Sequence, residues 1–333
     1  MIKRILILEK NCSFIIQKLK KKGFICDENY YDSTDKINLS LYDGIILRSR
    51  LKIDNEFIKK AINLKFIARI GSGIENIDKY YAFKRGITLI SSPEGNKDSV
   101  AEHAIGMLLC AMNHIIVSNQ QIKKGIWNRE NNRGMEIMKK TIGIIGYGNT
   151  GKSLAKKLSG FDTSILCYDT LPNVGDIYAN QVDMSTIFQK SDVISLHVPY
   201  TKKTKGMINY NFIQKFYKPF YFINTSRGEC VITNHLVKAL KNGKIYAACL
   251  DVLEYENLLY ENIFHYNQNN KQSKTFFDLI YSEKVILTPH IAGWTKESKS
   301  KMDEIIIEKI ILLNQQLNSK KIMQNLNDSD SDN

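Results

Sequence analysis

Short apolar runs alternate with amphipathic stretches from the start of the chain. "RILILE" (4–9) predicts a strand, and "NCSFIIQKLKKKGF" (11–24) a helix ended at Gly23. The pattern continues with "GIILRS" (strand), "NEFIKKAINL" (helix), "KFIARIGSG" (strand into a glycine turn), "IDKYYAFKRG" (helix) and "ITLISSP" (strand). Alternating strands and helices predict a parallel sheet covered on both faces, complete by about Pro93. A long apolar helix is expected over Ser99–Val117, followed by a polar, irregular segment, "GIWNRENNRGMEIMKK".

At Thr141 the pattern restarts. "TIGIIGYG" (strand), "NTGKSLAKKLSGF" (helix), "SILCYD", "DVISLHVP" and "YFINTS" (strands), "TNHLVKALKNGKI" (helix), "YAACLDVL" and "KVILTPH" (strands) follow in order. "TKESKSKMDEIIIEKIILLNQQL" then predicts a closing helix. The expected class is α/β, with two doubly wound parallel-sheet domains, one inserted into the other. The outer domain takes 1–98 plus 292–318 and the inserted one 99–291, while 319–333 reads as a disordered tail. "NQNNKQSK" (267–274) reads as a surface loop.

The turn Gly146-Tyr147-Gly148-Asn149-Thr150-Gly151 lies between a buried strand and a helix. Gly146 permits the tight turn, Gly148 lets the backbone approach a pyrophosphate, and Gly151 lets the helix pack on the strand. Asp169 ends the next strand, 18 residues after Gly151, where a carboxylate accepts the ribose hydroxyls and repels a 2′-phosphate. The inserted domain is therefore expected to be a Rossmann domain binding NAD rather than NADP.

Three further polar motifs end apolar strands: "FINTSRGE" with Arg227, "CLDVLEYEN" with Asp251 and Glu256, and "ILTPHIAGW" with His290. Taken singly, each has an ordinary structural explanation. Together they place an Arg, a Glu and a His at strand ends, where open α/β sheets bind ligands. Hydride transfer to a ketone leaves an alkoxide that needs a proton. A His can supply it, a carboxylate can fix the ring's tautomer, and an Arg fork can hold a substrate carboxylate.

Composition changes this picture little. The chain has 333 residues, 43% of them hydrophobic, and a net charge of +13. The basic residues are scattered rather than gathered into a stripe, so nucleic acid is not expected as a partner. The excess of Ile, Asn and Lys matches the codon bias of an AT-rich genome, and a positive field also favours arrival of a small anionic substrate. The start lacks a small-residue cleavage site, and Glu102, His103, Asn113 and His114 interrupt the longest apolar stretch. No membrane association is expected. Six scattered cysteines without C-x-x-C spacing suit reduced core residues in the cytoplasm, and no metal site is expected.

The sequence resembles the D-isomer-specific 2-hydroxyacid dehydrogenases. The motifs carrying the resemblance are "LRSR", "RIGSGIENID", "GITLISSPEGNKDSVAEH", "KTIGIIGYGNTG", "SLHVPYTKKTKG", "FINTSRGE", "LDVLEYE" and "TPHIAGWTKES", up to about Gln316. The resemblance implies a flavodoxin-like substrate domain, with Arg227 binding the 2-keto acid, His290 as acid/base and Glu256 paired with it. It implies that Asn224, Thr225, Ser226, Asp251, Ala292 and Gly293 lie along the nicotinamide side, and that His197, Val198, Pro199 and Thr204 border the adenine side. Ser72, Gly73 and Asn76 would cradle the substrate carboxylate. It also implies a homodimer formed through the NAD-binding domain, with a segment like "GIWNRENNRGMEI" crossing to the partner; Trp127 in that polar segment suits an anchor, or a ring folded back on its own domain.

The sequence departs from the family pattern in three places. Asn257 replaces the usual Pro after the Glu, Asn149-Thr150 follow the second glycine, and Asn262–Ser282 is an unusual insertion. "LRSRLK" is similar to the substrate loop of members that oxidise D-3-phosphoglycerate to 3-phosphohydroxypyruvate, the first step of serine synthesis. Arg48, Ser49 and Arg50, with Arg69 nearby, would then meet a phosphate. Related motifs serve reductases of glyoxylate and hydroxypyruvate. Corepressor relatives use the same fold to sense NAD(H). A C-terminal serine-sensing domain is not expected.

Overall fold

The computed structural model describes residues 1–30, 36–48, 51–254, 256 and 271–330, without the side chains of 271–273 and 321–330. The chain divides into two compact units, Met1–Asn96 with Lys296–Asn333, and Lys97–Thr295.

The first unit runs β1 (Arg4–Ile7), α1 (Ser13–Lys21), β2 (Ile25–Glu28), β3 (Gly44–Leu47), α2 (Asn55–Lys60), β4 (Phe66–Arg69), α3 (Lys79–Lys84) and β5 (Thr88–Ser91). Its five strands are all parallel, in the order β2-β1-β3-β4-β5. This is the flavodoxin-like order, reversing between β1 and β3. Strand β3 is buried throughout, as expected of a central parallel strand covered on both faces. Asp54 and Asp78 cap α2 and α3 by accepting the N–H groups of Phe57 and Tyr81.

The second unit begins with α4 (Lys97–Met112) and α5 (Ile115–Lys123), then β6 (Thr141–Ile145), α6 (Asn149–Leu158) and β7 (Ser164–Tyr168). β8 (Asn180–Gln181), α7 (Met184–Lys190), β9 (Val193–Leu196), α8 (Tyr210–Gln214) and β10 (Phe220–Asn224) follow. It ends with α9 (Thr233–Lys241), β11 (Ile245–Leu250), α10 (Lys271–Ile280) and β12 (Val285–Leu287). The seven parallel strands lie in the order β12-β11-β10-β9-β6-β7-β8. The order reverses between β6 and β9, the topological switch point where doubly wound sheets bind ligands. One core packs α4 and α6 on the sheet through Leu108, Ile142, Leu154 and Ile223. The other packs α7, α8 and α9 through Ile187, Phe216, Phe222 and Leu236.

Three expectations are corrected. The helix over Ser99–Val117 is broken: His114 takes a left-handed φ of 52°, and α4 and α5 diverge by 60°. No single described helix is long and apolar enough to cross a membrane; only the two helices of this bent pair taken together reach that length and apolarity among the described residues. The stretch 319–330, expected to be disordered, has helical backbone, because α11 runs Lys296–Asp330. Propagating an existing helix costs far less than nucleating one. Of the expected loop 267–274, residues 271–274 belong to α10 and 267–270 lie outside the described residues. α10 buries Phe276 and Leu279, and its Asp278 pairs with Lys241 at 2.6 Å.

Candidate active site

The glycine turn is built at the switch point. Gly146 has φ 94°, and a Cβ there would lie 2.4 Å from the His197 carbonyl oxygen. A Cβ on Gly151 would lie 2.3 Å from the Gly146 carbonyl, so helix α6 approaches its strand more closely than any side chain allows. At Gly148 the space is open for 4 Å around a Cβ position. Gly148 also caps α6 with no side-chain acceptor for the first N–H groups. An open approach to an uncapped helix N-terminus suits a pyrophosphate.

Asp169 follows β7. Its Oδ2 accepts from the Tyr147 N–H at 2.7 Å, and its Oδ1 from the Leu171 N–H at 3.0 Å. A carboxylate offers about four acceptor positions, so capacity for ribose hydroxyls remains. The buried Tyr147 hydroxyl donates to Asp176 Oδ1 at 2.8 Å, tying the turn to the loop after Asp169. Burial and the Asp176 carboxylate push the Tyr147 pKa up.

Buried His197 follows β9. Its Nε2 meets Ser195 Oγ at 2.8 Å and its Nδ1 meets Thr150 Oγ1 at 3.1 Å. Burial depresses its pKa to about 4, so the ring is neutral at pH 7. Val198 and Pro199 continue the strand end, and Thr204 Oγ1 donates to the Pro199 carbonyl at 2.6 Å.

The loop after β10 is held by fully buried Asn224. Its Oδ1 accepts from the Ser226 N–H and Oγ, and its Nδ2 donates to the Arg227 carbonyl. The Thr225 hydroxyl is buried and has no hydrogen-bond partner among the described residues. Arg227 Nη1 donates to the Ser226 carbonyl at 2.7 Å. A Cβ on Gly228 would lie 1.9 Å from the Leu253 carbonyl oxygen. The Arg227 loop is thereby pressed onto the segment that leads to Glu256.

His290 and Glu256 are in direct contact, with Nδ1 2.5 Å from Oε1. An acceptor-only carboxylate at Nδ1 fixes the proton there and leaves Nε2 for chemistry. His290 has a left-handed φ of 55°. Asp251, 2% exposed, holds this turn. Its carboxylate accepts from the N–H groups of Ile291 and Ala292, both at 2.8 Å, and from Thr288 Oγ1 at 2.6 Å. Its carbonyl accepts from the His290 N–H at 2.9 Å. The contacts of Asp251 and Ala292 are thus with the His290 turn, and Gly293 follows in the same turn. Two residues that the sequence reading passed over join this network, Thr288 and His103. His103 stands within "SVAEH", and its position in a helix gave no signal of contact with a strand end 185 residues away.

In the first unit, Ser72 Oγ donates to Asn96 Oδ1 at 2.8 Å. Asn76 Nδ2 donates to the carbonyls of Leu51 (2.8 Å) and Arg48 (3.2 Å). Gly73 is buried. Burial lowers the Arg48 pKa, while the charges of Glu9 and Asp303 act the other way. Arg69 Nε donates to the Arg48 carbonyl at 3.3 Å. Ser49 and Arg50 lie outside the described residues.

The model of the D-isomer specific 2-hydroxyacid dehydrogenase NAD-binding domain matches residues 105–292. The chain belongs to the D-isomer specific 2-hydroxyacid dehydrogenases. A glyoxylate reductase of Thermofilum pendens is 38% identical to this chain over 92% of it and 86% of its own length. A D-3-phosphoglycerate dehydrogenase of Archaeoglobus fulgidus is 35% identical over 92% of the chain, which spans only 56% of that relative's length. Among solved structures, an Aquifex aeolicus D-lactate dehydrogenase complexed with NAD and lactic acid superposes with a TM-score of 0.80. It is 27% identical, covering 94% of this chain and 96% of its own. The glycine turn, Asp169 and the orphaned Thr225 hydroxyl fit the NAD of this family.

The neutral, buried His197 makes stability dependent on pH. The unfolded ring protonates near pH ~6.5, the folded one only near about 4, so between these values the unfolded chain binds more protons. Stability is full above ~6.5 and falls as pH drops toward 4, by as much as about 3 kcal/mol. Urea unfolding at several pH values should show this loss, and His197→Gln, which lacks a titrating ring, should lose less over the same window.

Proposed function

We propose that this chain interconverts a small anionic D-2-hydroxy acid and its 2-keto acid with NAD, and that D-3-phosphoglycerate is the acid it oxidises. The observation that carries the catalytic part is the 2.5 Å contact between His290 and Glu256 in a turn pinned by Asp251. With Nδ1–H donated to Glu256, His290 Nε2 takes the proton of the substrate hydroxyl, and Glu256 stabilises the imidazolium that forms. A nicotinamide cofactor held at the glycine turn and Asp169 would supply the hydride acceptor. The Arg227 guanidinium holds the substrate carboxylate and polarises the adjacent carbonyl in the reverse direction.

Arg48 and Arg69 support the phosphorylated substrate. They stand at the ends of adjacent strands, with Leu47 opposite Arg69 in the β3–β4 register, and arginines at neighbouring strand ends suit a second anionic group. Similarity to D-3-phosphoglycerate dehydrogenases supports the same substrate, which would place the chain at the first step of serine synthesis. Reduction of glyoxylate or hydroxypyruvate is the second reading, supported by relatives that match this chain over most of their own length. A chain that binds NADH and turns over none of these acids would instead be a sensor. Absorbance at 340 nm with 3-phosphoglycerate, glyoxylate and hydroxypyruvate separates the three outcomes. His290→Ala should lower kcat by about 100-fold or more, the scale of general acid–base catalysis, with NADH affinity nearly unchanged. Parallel loss of NADH affinity would contradict this assignment.

Homodimerisation through the second unit is part of the same reading. α5 buries none of its residues, and Ile115, Ile122, Ile126 and Trp127 are exposed on it or just after it, Trp127 by 79%. Such a patch marks an interface. Sedimentation should show a dimer for the wild type and a monomer for the double variant Ile122→Glu/Trp127→Glu. Free cysteines, five of them buried, support a reducing cytoplasm.

A further inference from the structure

The His290 turn is held from behind by a relay that begins on helix α4. Asp251 is acceptor-only in its ionised form, so the Thr288 hydroxyl must spend its single proton on Asp251 Oδ1, at 2.6 Å. The sulfur of Met107, 3.8 Å from the same hydroxyl, is a weak acceptor and does not compete. The Thr288 oxygen is then left as an acceptor toward His103, whose Nε2 stands 2.9 Å away. His103 must therefore carry a proton on Nε2. That N–H also faces Asp251 Oδ1 at 3.7 Å.

We propose that His103 is a positioning residue for His290, acting through Thr288 and Asp251. It touches neither Glu256 nor the glycine turn in any contact described above. Its N–H orients the Thr288 hydroxyl, and that hydroxyl supplies one of the three hydrogen bonds that fix the rotamer of the Asp251 carboxylate. The other two reach the N–H groups of Ile291 and Ala292, which follow His290 directly. His290 itself sits at φ 55°, a conformation that is unfavourable for a non-glycine residue and persists only where its surroundings impose it. When the donor at 103 is lost, the Thr288 hydroxyl is free to rotate away from Asp251. The carboxylate loses its third partner, the turn can relax from the left-handed conformation, and the ring leaves its productive orientation. The relay sets the direction of the ring and not the affinity of the nucleotide site.

This inference deepens the dehydrogenase reading and rests on it for its kinetic arm. The test compares His103→Leu, which removes the donor, with His103→Gln, whose side-chain amide N–H can stand where Nε2–H stands. On the acid that the wild type turns over, His103→Leu should lower kcat about tenfold, the value of one hydrogen bond of ~1.4 kcal/mol. KM and the NADH dissociation constant should change less than threefold. His103→Gln should recover most of the loss. The same proteins with 15N-labelled histidine give a second readout. The chain has six histidines, so its ring signals can be assigned one by one. The His103 signals should show Nε2 protonated, and the His290 signals should move in His103→Leu and return in His103→Gln. An unchanged kcat with unmoved His290 signals would overturn the proposal. So would equal loss in both variants accompanied by a lowered unfolding midpoint, which would make His103 a packing residue. If the wild type turns over no hydroxy or keto acid, the dehydrogenase reading fails while the ring signals still decide whether His103 positions His290.

Discussion

A carboxylate buried at the end of strand β11 governs the candidate chemistry. Asp251 is almost wholly withdrawn from water, and burying a charge is tolerated only when hydrogen bonds replace the lost hydration. The bonds that do so come from the Thr288 hydroxyl and the N–H groups of Ile291 and Ala292. Because a hydrogen bond to a charged group contributes about 1.5–3 kcal/mol, three of them exceed the ~1–2 kcal/mol cost of the left-handed His290 backbone. The same bonds that satisfy the charge thus bend the chain so that His290 meets Glu256. A residue expected along a nicotinamide ring also builds the turn that carries the acid/base.

A parallel arrangement organises the nucleotide end of the sheet. Tyr147 lies inside the glycine turn, yet its ring is in the core and its hydroxyl reaches Asp176. Its N–H is bound by Asp169. One residue therefore couples the glycine turn to Asp169, the carboxylate proposed to face ribose. At both ends of the site, a side chain buried behind the reacting surface fixes a backbone segment that presents the working group.

The positions of these polar residues at strand ends were legible in the sequence because parallel strands are short apolar runs, each closed by a polar residue. Gly146, Gly148 and Gly151, with Asp169, could be read from spacing, since the turn has little room for alternatives. The break at His114 was hidden because Asn113 and His114 look like ordinary polar interruptions of a helix, while the left-handed geometry of His114 comes from tertiary context. The helical backbone of 319–330 was hidden by a polar composition that says nothing of the helix already formed before it. Strands β2 and β8 were missed because "ICDE" and "NQ" are too short and polar to show alternation, and only their pairing defines them. His103 was invisible for a different reason: its partner, Thr288, is remote in sequence.

The central claim, that the Asp251 carboxylate presents His290 for proton transfer, is tested most directly by single-turnover hydride transfer in Asp251→Asn. The amide keeps the size of the side chain but sets an NH2 group against at least one donor, either a backbone N–H or the Thr288 hydroxyl. The account predicts that the hydride-transfer rate, read as absorbance at 340 nm, falls by about 100-fold, the scale of losing general acid–base catalysis, in protein that still binds NADH. A rate within twofold of the wild type would contradict it.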